Sequence, residues 1–454
     1  MRKLFIALSL GITPFSFAQT NPAITSWLQN TTGLMGSHYV SGNSTAIQDA
    51  VEANVQTVQY SSNWVYVSTN GIPAYTTGPF LDGNPSLATD QNAIFKIPLN
   101  PVQNTGTPTA TSGGNIGIFI NGVALFDYRD GVAWNNATSA LCGGPGNPPC
   151  PGGPTASMPW NRDAVPAEKP GFDCSKGHPA MGNYHHHQNP SAYNLDLNVI
   201  STICDLYAAD GLYAINPAEH SPLIGYAYDG FPIYGAYGYA NADGTGGIVR
   251  IKSGYQLRNI TTRTVWADGT DVADGPAVST TYPLGYFRED YEFVSHPGQA
   301  DYLDEHNGRF CVTPEYPAGI YCYFATVDAN HNSAYPYAVG PTYYGVKTAG
   351  TVTSISEAVT TYTSTAGIDE TKKIDFKVFP NPSADIIMVQ TTGLNSNEIV
   401  IDLTDANGKL IQTQTIQKGS TIAYFDVATL YNGTYFVHVK SGAQATSYSV
   451  VIAE

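Results

Sequence analysis

Glycine and proline occur so often in this chain that they favour short elements joined by turns. The 454 residues include 45 glycines and 30 prolines, while only 12% of residues are charged. Both residue types interrupt helices and are common in turns. We therefore predict a mainly β fold, with a large central β domain, long Gly/Pro-rich loops and a small C-terminal β-sandwich. The 31 tyrosines provide polar aromatic side chains in place of charged ones.

Several stretches alternate with the period of two that is typical of β-strands. They are VQTVQY (55–60), NWVYVST (63–69) and IFKIPL (94–99). The stretch NIGIFINGVALFD (115–127) predicts a hairpin that turns at Asn121-Gly122, because Asn-Gly suits tight turns.

Other stretches predict loops or helices. Residues 142–170 contain more glycine and proline than a regular element tolerates, so we predict a loop there. A short helix is expected around Ala46–Val55. A second is expected over Asn194–Tyr207, where apolar residues recur at helical spacing.

The N-terminus has the pattern of a secretory signal peptide over Met1–Ala18. Arg2 and Lys3 precede an apolar run, Leu4–Phe17, that is shorter than the ~20 residues of a membrane-spanning helix. The alternative, an N-terminal membrane anchor, is therefore less favoured, and we expect no transmembrane span in the mature chain. A formal net charge of -16 argues against nucleic acid and anionic membranes as partners, since both attract basic surfaces.

Composition divides the chain into five segments. A Thr/Ser-rich stretch near residue 350 has the composition of a linker, and the residues after it alternate as strands, enough for a small β-sandwich. The predicted segments are the signal peptide (1–18), an N-terminal lead segment (19–57), the large β domain (58–348), the linker (349–368) and the C-terminal domain (369–454).

Six cysteines in an exported chain predict disulfides. Proximity favours Cys142–Cys150 and Cys311–Cys322, which leaves Cys174–Cys204. The second pair flanks TPEYPAG in what reads as a hairpin, so we expect the two cysteines on adjacent antiparallel strands. The alternative is a thiolate metal site, but no pair has CxxC spacing.

The run GNYHHHQNP (182–190) contains the strongest candidate site. Residues two apart on a strand project from the same face, so His185 and His187 could bind one cation while His186 points the other way. Imidazole suits zinc and copper. A third, distant histidine would complete a three-ligand site with an open position, as in catalytic zinc sites. We expect His220 first, since Pro222 stiffens its loop, and His178 second. The alternative is that these histidines are ordinary surface or structural residues.

Two carboxylates are candidate catalytic groups. Asp229 lies in YDGFPIYG, where it either caps its own turn or acts as a general base or as a partner of a ligand histidine. Glu305 lies in LDEHNGR, where a turn network is the simpler interpretation. Two classes of function follow: a metal-dependent extracellular enzyme, hydrolytic or redox, and a non-catalytic surface or glycan-binding protein. A substrate-sized cleft that reaches the metal would favour the enzyme. The sequence does not indicate a substrate.

The central region resembles the YHYH domain family. The likeness runs from about residue 58 to 345 and includes NGIPAY (70–75), FKIPLNP (95–101) and INGVALFD (120–127). The family motif corresponds to Tyr184-His185-His186-His187, with His186 where the family has its second tyrosine. The resemblance implies a shared fold unit and assigns no reaction.

The tail resembles the type A C-terminal sorting domain of the type IX secretion system. The matching features are FPNPSAD (379–385), DANGK (405–409) and LYNGTYFVHV (430–439). The resemblance implies recognition by the type IX machinery, passage through the outer membrane, and then release or attachment at the cell surface.

Overall fold

The computed structural model describes most of the chain in two compact units, residues 1–363 and 364–454. The described residues are 21–43, 45–80, 87–153, 157–190, 216–348, 350–363, 376–391, 399–405, 409–416, 422–441 and 444–453. Both units are mainly β, as predicted. Among these residues, no helix is long and apolar enough to cross a membrane.

The elements of the first unit are mostly short strands. In chain order they are α1 (Pro22–Thr25), β1 (Met35–His38), β2 (Ile47–Glu52), β3 (Val55–Tyr60), β4 (Trp64–Thr69), β5 (Ala93–Pro98), β6 (Thr109–Ala110), β7 (Asn115–Phe119), β8 (Ala124–Phe126), β9 (Arg129–Asn135), β10 (Ala140–Cys142), β11 (Asn161–Asp163), α2 (Ala164–Glu168), β12 (His178–Ala180), β13 (Asn183–His186), β14 (Leu223–Ala227), β15 (Pro232–Tyr234), β16 (Tyr237–Tyr239), β17 (Ile248–Arg250), β18 (Tyr255–Leu257), β19 (Tyr291–Phe293), β20 (Gly308–Cys311), β21 (Ile320–Phe324), β22 (Thr342–Tyr343), β23 (Gly350–Val352) and β24 (Thr360–Thr361). Single 3₁₀ turns lie at Lys169–Gly171 and Arg288–Asp290.

Two larger sheets enclose the main core of this unit. The eight-stranded sheet has the order β12-β13-β8-β7-β14-β15-β21-β20, and the five-stranded sheet the order β23-β5-β4-β3-β24. Apolar side chains of both sheets pack in one cluster, Val67 and Ile97 from the smaller sheet and Ile118 and Ile233 from the larger. All five residues of β14 are buried, which explains why its sequence does not alternate.

The predicted strands of this region are confirmed. The first two lie in β3 and β4, and the third overlaps β5. The hairpin at Asn121-Gly122 joins β7 to β8. Gly122 has a φ of 84°, and a Cβ there would lie 2.2 Å from the Thr69 Oγ1, so the turn requires glycine. This hairpin places β8 beside β13, with which it pairs in parallel.

Two local predictions are wrong and one lies outside the described residues. Residues 47–52 form β2, not a helix, and pair with β1. Residues 142–170 are not all loop: β11 pairs with β9 and leads directly into α2. An Asp followed closely by Pro is a helix-start signal, and Asp163 does cap α2 by accepting from the Val165 N–H. The predicted helix over 194–207 falls on residues that the structure does not describe.

Tyrosines satisfy many of the buried and half-buried carboxylates of this unit. Each of these tyrosine hydroxyls donates to an acidic side chain: Tyr184 to Asp173 at 2.7 Å, Tyr323 to Asp229 at 2.5 Å, Tyr337 to Asp163 at 2.7 Å, Tyr321 to Asp304 at 2.8 Å and Tyr234 to Glu315 at 2.8 Å. A buried carboxylate needs hydrogen-bond donors. In a chain with few cations, the phenol hydroxyl provides them.

The second unit consists of two sheets that share one core. Its strands are β25 (Phe376–Phe379), β26 (Ile386–Thr391), β27 (Ile399–Asp405), β28 (Leu410–Ile416), β29 (Ile422–Asp426), β30 (Gly433–Ser441) and β31 (Gln444–Ile452). They form a three-stranded sheet, β25-β26-β29, and a four-stranded sheet, β28-β27-β30-β31. Ile387 and Phe425 from one sheet and Ile401 and Val437 from the other are fully buried together. The alternation in the tail therefore predicted its strands correctly.

The predicted disulfides have three different outcomes. Cys142 and Cys150 are bonded, while the predicted Cys174–Cys204 bridge involves a residue outside the described ranges. The predicted Cys311–Cys322 bridge is wrong, because both are free, buried thiols. The hairpin itself is present, but its register pairs Cys311 with Ile320 and Arg309 with Cys322. The two cysteines are therefore diagonal neighbours, a less favourable arrangement for a disulfide than direct opposition.

This register gives a testable prediction for the exported protein. We expect alkylation of Cys311 and Cys322 when the protein is denatured without a reductant, because neither sulfur is bonded. Cys142 and Cys150 should react only after reduction and serve as the internal control. Mass spectrometry of non-reduced peptides measures both, and a disulfide-linked peptide containing Cys311 and Cys322 would contradict the observed register.

Candidate metal site

A tight hairpin brings the first histidine of the site opposite the second. Strands β12 and β13 pair so that His178 lies directly across from His185. Met181 and Gly182 connect them with φ angles of 49° and 87°, and positive φ at both positions is the signature of a type I′ turn. A Cβ on Gly182 would lie 2.1 Å from the Thr89 Oγ1, so glycine is required there.

Three imidazoles converge on one point beside this hairpin. His185 ends up on the same side as His187, which lies one residue beyond β13, and their Nε2 atoms are 3.1 Å apart. His178 joins them, and one ring nitrogen from each of the three residues lies within 4.8 Å of the others. All three residues are at most 5% exposed. The same-face interpretation of the HxH pair is therefore confirmed.

The hydrogen bonds of two rings determine which nitrogen faces the centre of the site. The Nδ1 of His185 donates to the Asn183 carbonyl at 2.9 Å, and the Nδ1 of His187 donates to the Asp127 carbonyl at 2.5 Å. A carbonyl only accepts, so both protons are assigned to Nδ1. In neutral rings each Nε2 then carries a lone pair, and the two lone pairs face each other across 3.1 Å.

Burial keeps the central ring neutral. It lowers the pKa of His185 well below its ordinary value, and the neighbouring His187 and His178 lower it further. Neutral imidazole is the form that binds metals. The lone-pair side of His185 is thus available for a cation at neutral pH.

Glu168 is a further member of the site that the sequence analysis did not identify. It is the last residue of α2, and its Oε2 lies 3.0 Å from the Nε2 of His187 and 3.2 Å from the Nε2 of His178. Burial raises the pKa of Glu168, but the two imidazoles outweigh it and hold that pKa far below the usual range. The group is therefore a carboxylate. It lies within the stretch that we predicted to be a loop, and the Asp-x-x-Pro start of α2 was the signal that could have indicated it.

Aromatic rings pack against the histidines and restrict their orientation. Phe126 stacks on His185 with ring centroids 3.7 Å apart, and Phe172 packs edge-on against His178 at 5.0 Å. An apolar shell of this kind excludes water and strengthens electrostatic interactions inside it.

The opposite face of β13 is occupied by a separate buried network. Tyr184 donates to Asp173, and the His186 Nε2 lies 2.8 Å from the Tyr75 hydroxyl. Burial lowers the pKa of His186 to about 3, so this ring is neutral too. The expectation that His186 points away from His185 and His187 is confirmed. Its place in the motif is structural.

Comparison with protein-family models gives two matches. The model described as YHYH protein matches residues 94–335, which is more than half of the chain. The chain belongs to the YHYH family. The model described as secretion system C-terminal sorting domain matches residues 377–453, so both resemblances are confirmed in the expected order. A search of curated proteins found no match.

The tail assigns a destination to the YHYH protein. A type IX sorting domain indicates secretion or a location at the cell surface. The signal peptide over Met1–Ala18 lies outside the described residues and stays a prediction. The family model supplies no reaction, so the chemistry must be argued from the site.

The structure does not bring His220 to the cluster. His220 precedes β14, which is three strands away from β13 in the YHYH domain sheet, or roughly 14 Å at the usual spacing between strands. Its Nδ1 donates to the Ser221 carbonyl at 2.8 Å, and its ring packs against Tyr234 and Tyr239. The second choice, His178, occupies the third position instead.

The two candidate catalytic carboxylates also make their contacts outside the histidine cluster. Asp229 is fully buried and accepts from the Tyr323 hydroxyl and from the Gly345 and Phe231 N–H groups. These contacts match the turn-capping interpretation. Glu305 is exposed, and its backbone carbonyl accepts from the Tyr255 hydroxyl.

A large cleft lies beside α2. Its volume is about 600 Å³, and its lining includes Pro166, Lys169, Tyr291 and Tyr337 but none of the three histidines. The helix α2 thus contributes neighbouring residues to the cleft and Glu168 to the histidines. This cleft does not open onto the ring nitrogens.

Asp229 generates a prediction about pH and stability. Burial raises its pKa to about 6 against the opposing effect of its hydrogen bonds. The native protein then binds more protons than the unfolded chain between about pH 4 and pH 6, so this group lowers the stability as the pH rises through that range. The loss is roughly 3 kcal/mol.

The Asp229→Asn variant removes this titration. Denaturant unfolding of both proteins between pH 4 and pH 7 should show the wild type losing stability relative to the variant as the pH rises. Parallel pH profiles for the two proteins would contradict a raised pKa at Asp229.

Proposed function

We propose that the YHYH domain binds one transition-metal ion, zinc or copper, through His178, His185 and His187, and that the sorting tail delivers it outside the cell. The observation that carries this proposal is the inward-facing pair of Nε2 atoms on His185 and His187, 3.1 Å apart. In neutral rings both atoms carry lone pairs, which repel each other unless a cation lies between them.

A metal ion relieves the repulsion between these nitrogen atoms better than a proton does. A proton can be shared by one pair of nitrogens, while His178 also lies in the cluster and the Glu168 carboxylate lies beside two of the three imidazoles. A metal ion accepts several donors at once. Imidazole nitrogen is a common ligand of zinc and copper, and aromatic rings hold the histidines in their ligand-binding orientation.

The surroundings favour holding a metal over catalysing a reaction with it. Asp229 and Glu305, the acid–base candidates from the sequence, make their contacts elsewhere. The large cleft beside α2 is lined by residues other than the ligands. The cleft beside α2 gives no support to catalysis at the nitrogens, so the proposed activity is metal binding by an exported protein.

The proposal is tested by the metal content of the protein recovered from the culture medium or the cell surface. We expect about one equivalent of zinc or copper in the wild type by elemental analysis, and almost none in the double variant His185→Ala/His187→Ala. Removing two of three imidazoles leaves too few ligands for tight binding.

The His220→Ala variant is the matched control. It removes a partly buried histidine that the sequence favoured as a ligand but that packs away from the cluster, so its metal content should equal that of the wild type. Circular dichroism establishes that both variants are folded. Equal metal content in the wild type and the double variant would refute the proposal.

A further inference from the structure

We infer that Glu168 is the fourth metal ligand, and that the ion fastens α2 to the edge hairpin of the eight-stranded sheet. This inference rests on the proposed metal site and extends it in two respects. It changes three imidazoles with an open position into a closed site of three nitrogens and one oxygen. It also gives the ion a structural purpose.

Three distances between candidate ligand atoms fit four-coordinate geometry. Zinc–nitrogen and zinc–oxygen bonds of about 2.0–2.1 Å place neighbouring ligands about 3.3 Å apart at the corners of a tetrahedron. The measured separations are 3.1 Å between His185 and His187, 3.0 Å between His187 and Glu168, and 3.2 Å between Glu168 and His178. Three of the six edges of such a cage therefore already have about the required length.

The contacts of Glu168 support a ligand role over a hydrogen-bonding role. Its Oε2 is buried, and the two ring nitrogens within 3.2 Å of it lie outside good hydrogen-bond geometry. A buried carboxylate oxygen without a hydrogen bond is costly. Coordination to an ion at the centre of the cage would remove this cost, because metal ligands point at the ion and not at each other.

The charge of a buried metal ion also favours Glu168 as a ligand. The rings of His185 and His187, with Nδ1 protonated, bring no net charge, so a divalent ion bound by imidazoles alone would be buried with its full charge among phenylalanines. The carboxylate of Glu168 cancels one unit of that charge inside the aromatic shell.

The position of the four ligands explains what the ion would hold together. His178 lies on β12, which is the edge strand of the large sheet, and His185 and His187 follow the turn of the same hairpin. Glu168 ends the helix that follows β11, and β11 belongs to a different sheet, β10-β9-β11. The ion would therefore connect two sheets across a region with few regular elements.

The experiment uses cobalt as a spectroscopic substitute for zinc in the full-length protein. After chelation and reconstitution with Co²⁺, the wild type should show the intense visible bands of tetrahedral cobalt, unchanged between pH 6 and pH 9. In Glu168→Gln, water should replace the carboxylate. Since zinc-bound water has a pKa of about 7, the cobalt spectrum of the variant should change with pH, and binding should weaken by at least about 100-fold.

The matched control is Glu305→Gln, the same substitution at an exposed glutamate, which should behave as the wild type. If wild-type protein takes up no cobalt, the proposed metal site itself is refuted. If cobalt binds but Glu168→Gln matches the control in affinity and in its pH-independent spectrum, the metal site stands and the role of Glu168 is refuted.

A measurement on the wild type alone tests whether the ion connects α2 to the edge hairpin. The inference therefore stays testable if Glu168→Gln does not fold. Limited proteolysis with and without metal should show protection of residues 143–171 when zinc or cobalt is bound. Cleavage of this segment at the same rate in both forms would overturn the structural purpose of the ion.

Discussion

The arrangement of this site depends on one electrostatic constraint: lone pairs that face each other in a dry pocket need a cation between them. The backbone carbonyls of Asn183 and Asp127 take the Nδ1 protons of His185 and His187. This directs both Nε2 atoms toward the centre of the site. Each neighbouring feature serves that arrangement, since the β12–β13 turn supplies His178, the end of α2 supplies Glu168, and phenylalanine rings limit the movement of the imidazoles.

The rest of the domain explains how a chain with so few charges supports such a site. Tyrosine hydroxyls satisfy buried carboxylates that cations satisfy in many other proteins, as in Tyr184–Asp173 directly behind the motif. Burial raises the pKa of Asp173 and of Asp229 to about 6, although hydrogen bonds from tyrosine hydroxyls oppose this shift. The unusual tyrosine content is therefore a property of the core and not only of its surface.

Much of the fold could be predicted from local patterns, and the remainder depended on strand order. Alternation and Asn121-Gly122 identified strands and a hairpin correctly, and the HxH spacing identified two histidines of the cluster because a strand fixes which side chains share a face. The identity of the third histidine in the cluster depends on which strands are neighbours in the sheet. His178 is next to His185 through a type I′ turn at Met181-Gly182, a less obvious turn signal than Asn-Gly, while His220 is three strands away. Glu168 could not be predicted as a member of the site, since its position beside the histidines depends on the pairing of β11 with β9.

The most direct test of this account is a crystal structure of the purified, metal-loaded protein with anomalous diffraction data collected at the absorption edge of the bound metal. The account predicts one strong anomalous peak about 2.0–2.2 Å from the Nε2 atoms of His178, His185 and His187 and from the Oε2 of Glu168. An empty cage in metal-loaded crystals, or a peak bound by other residues, would contradict it.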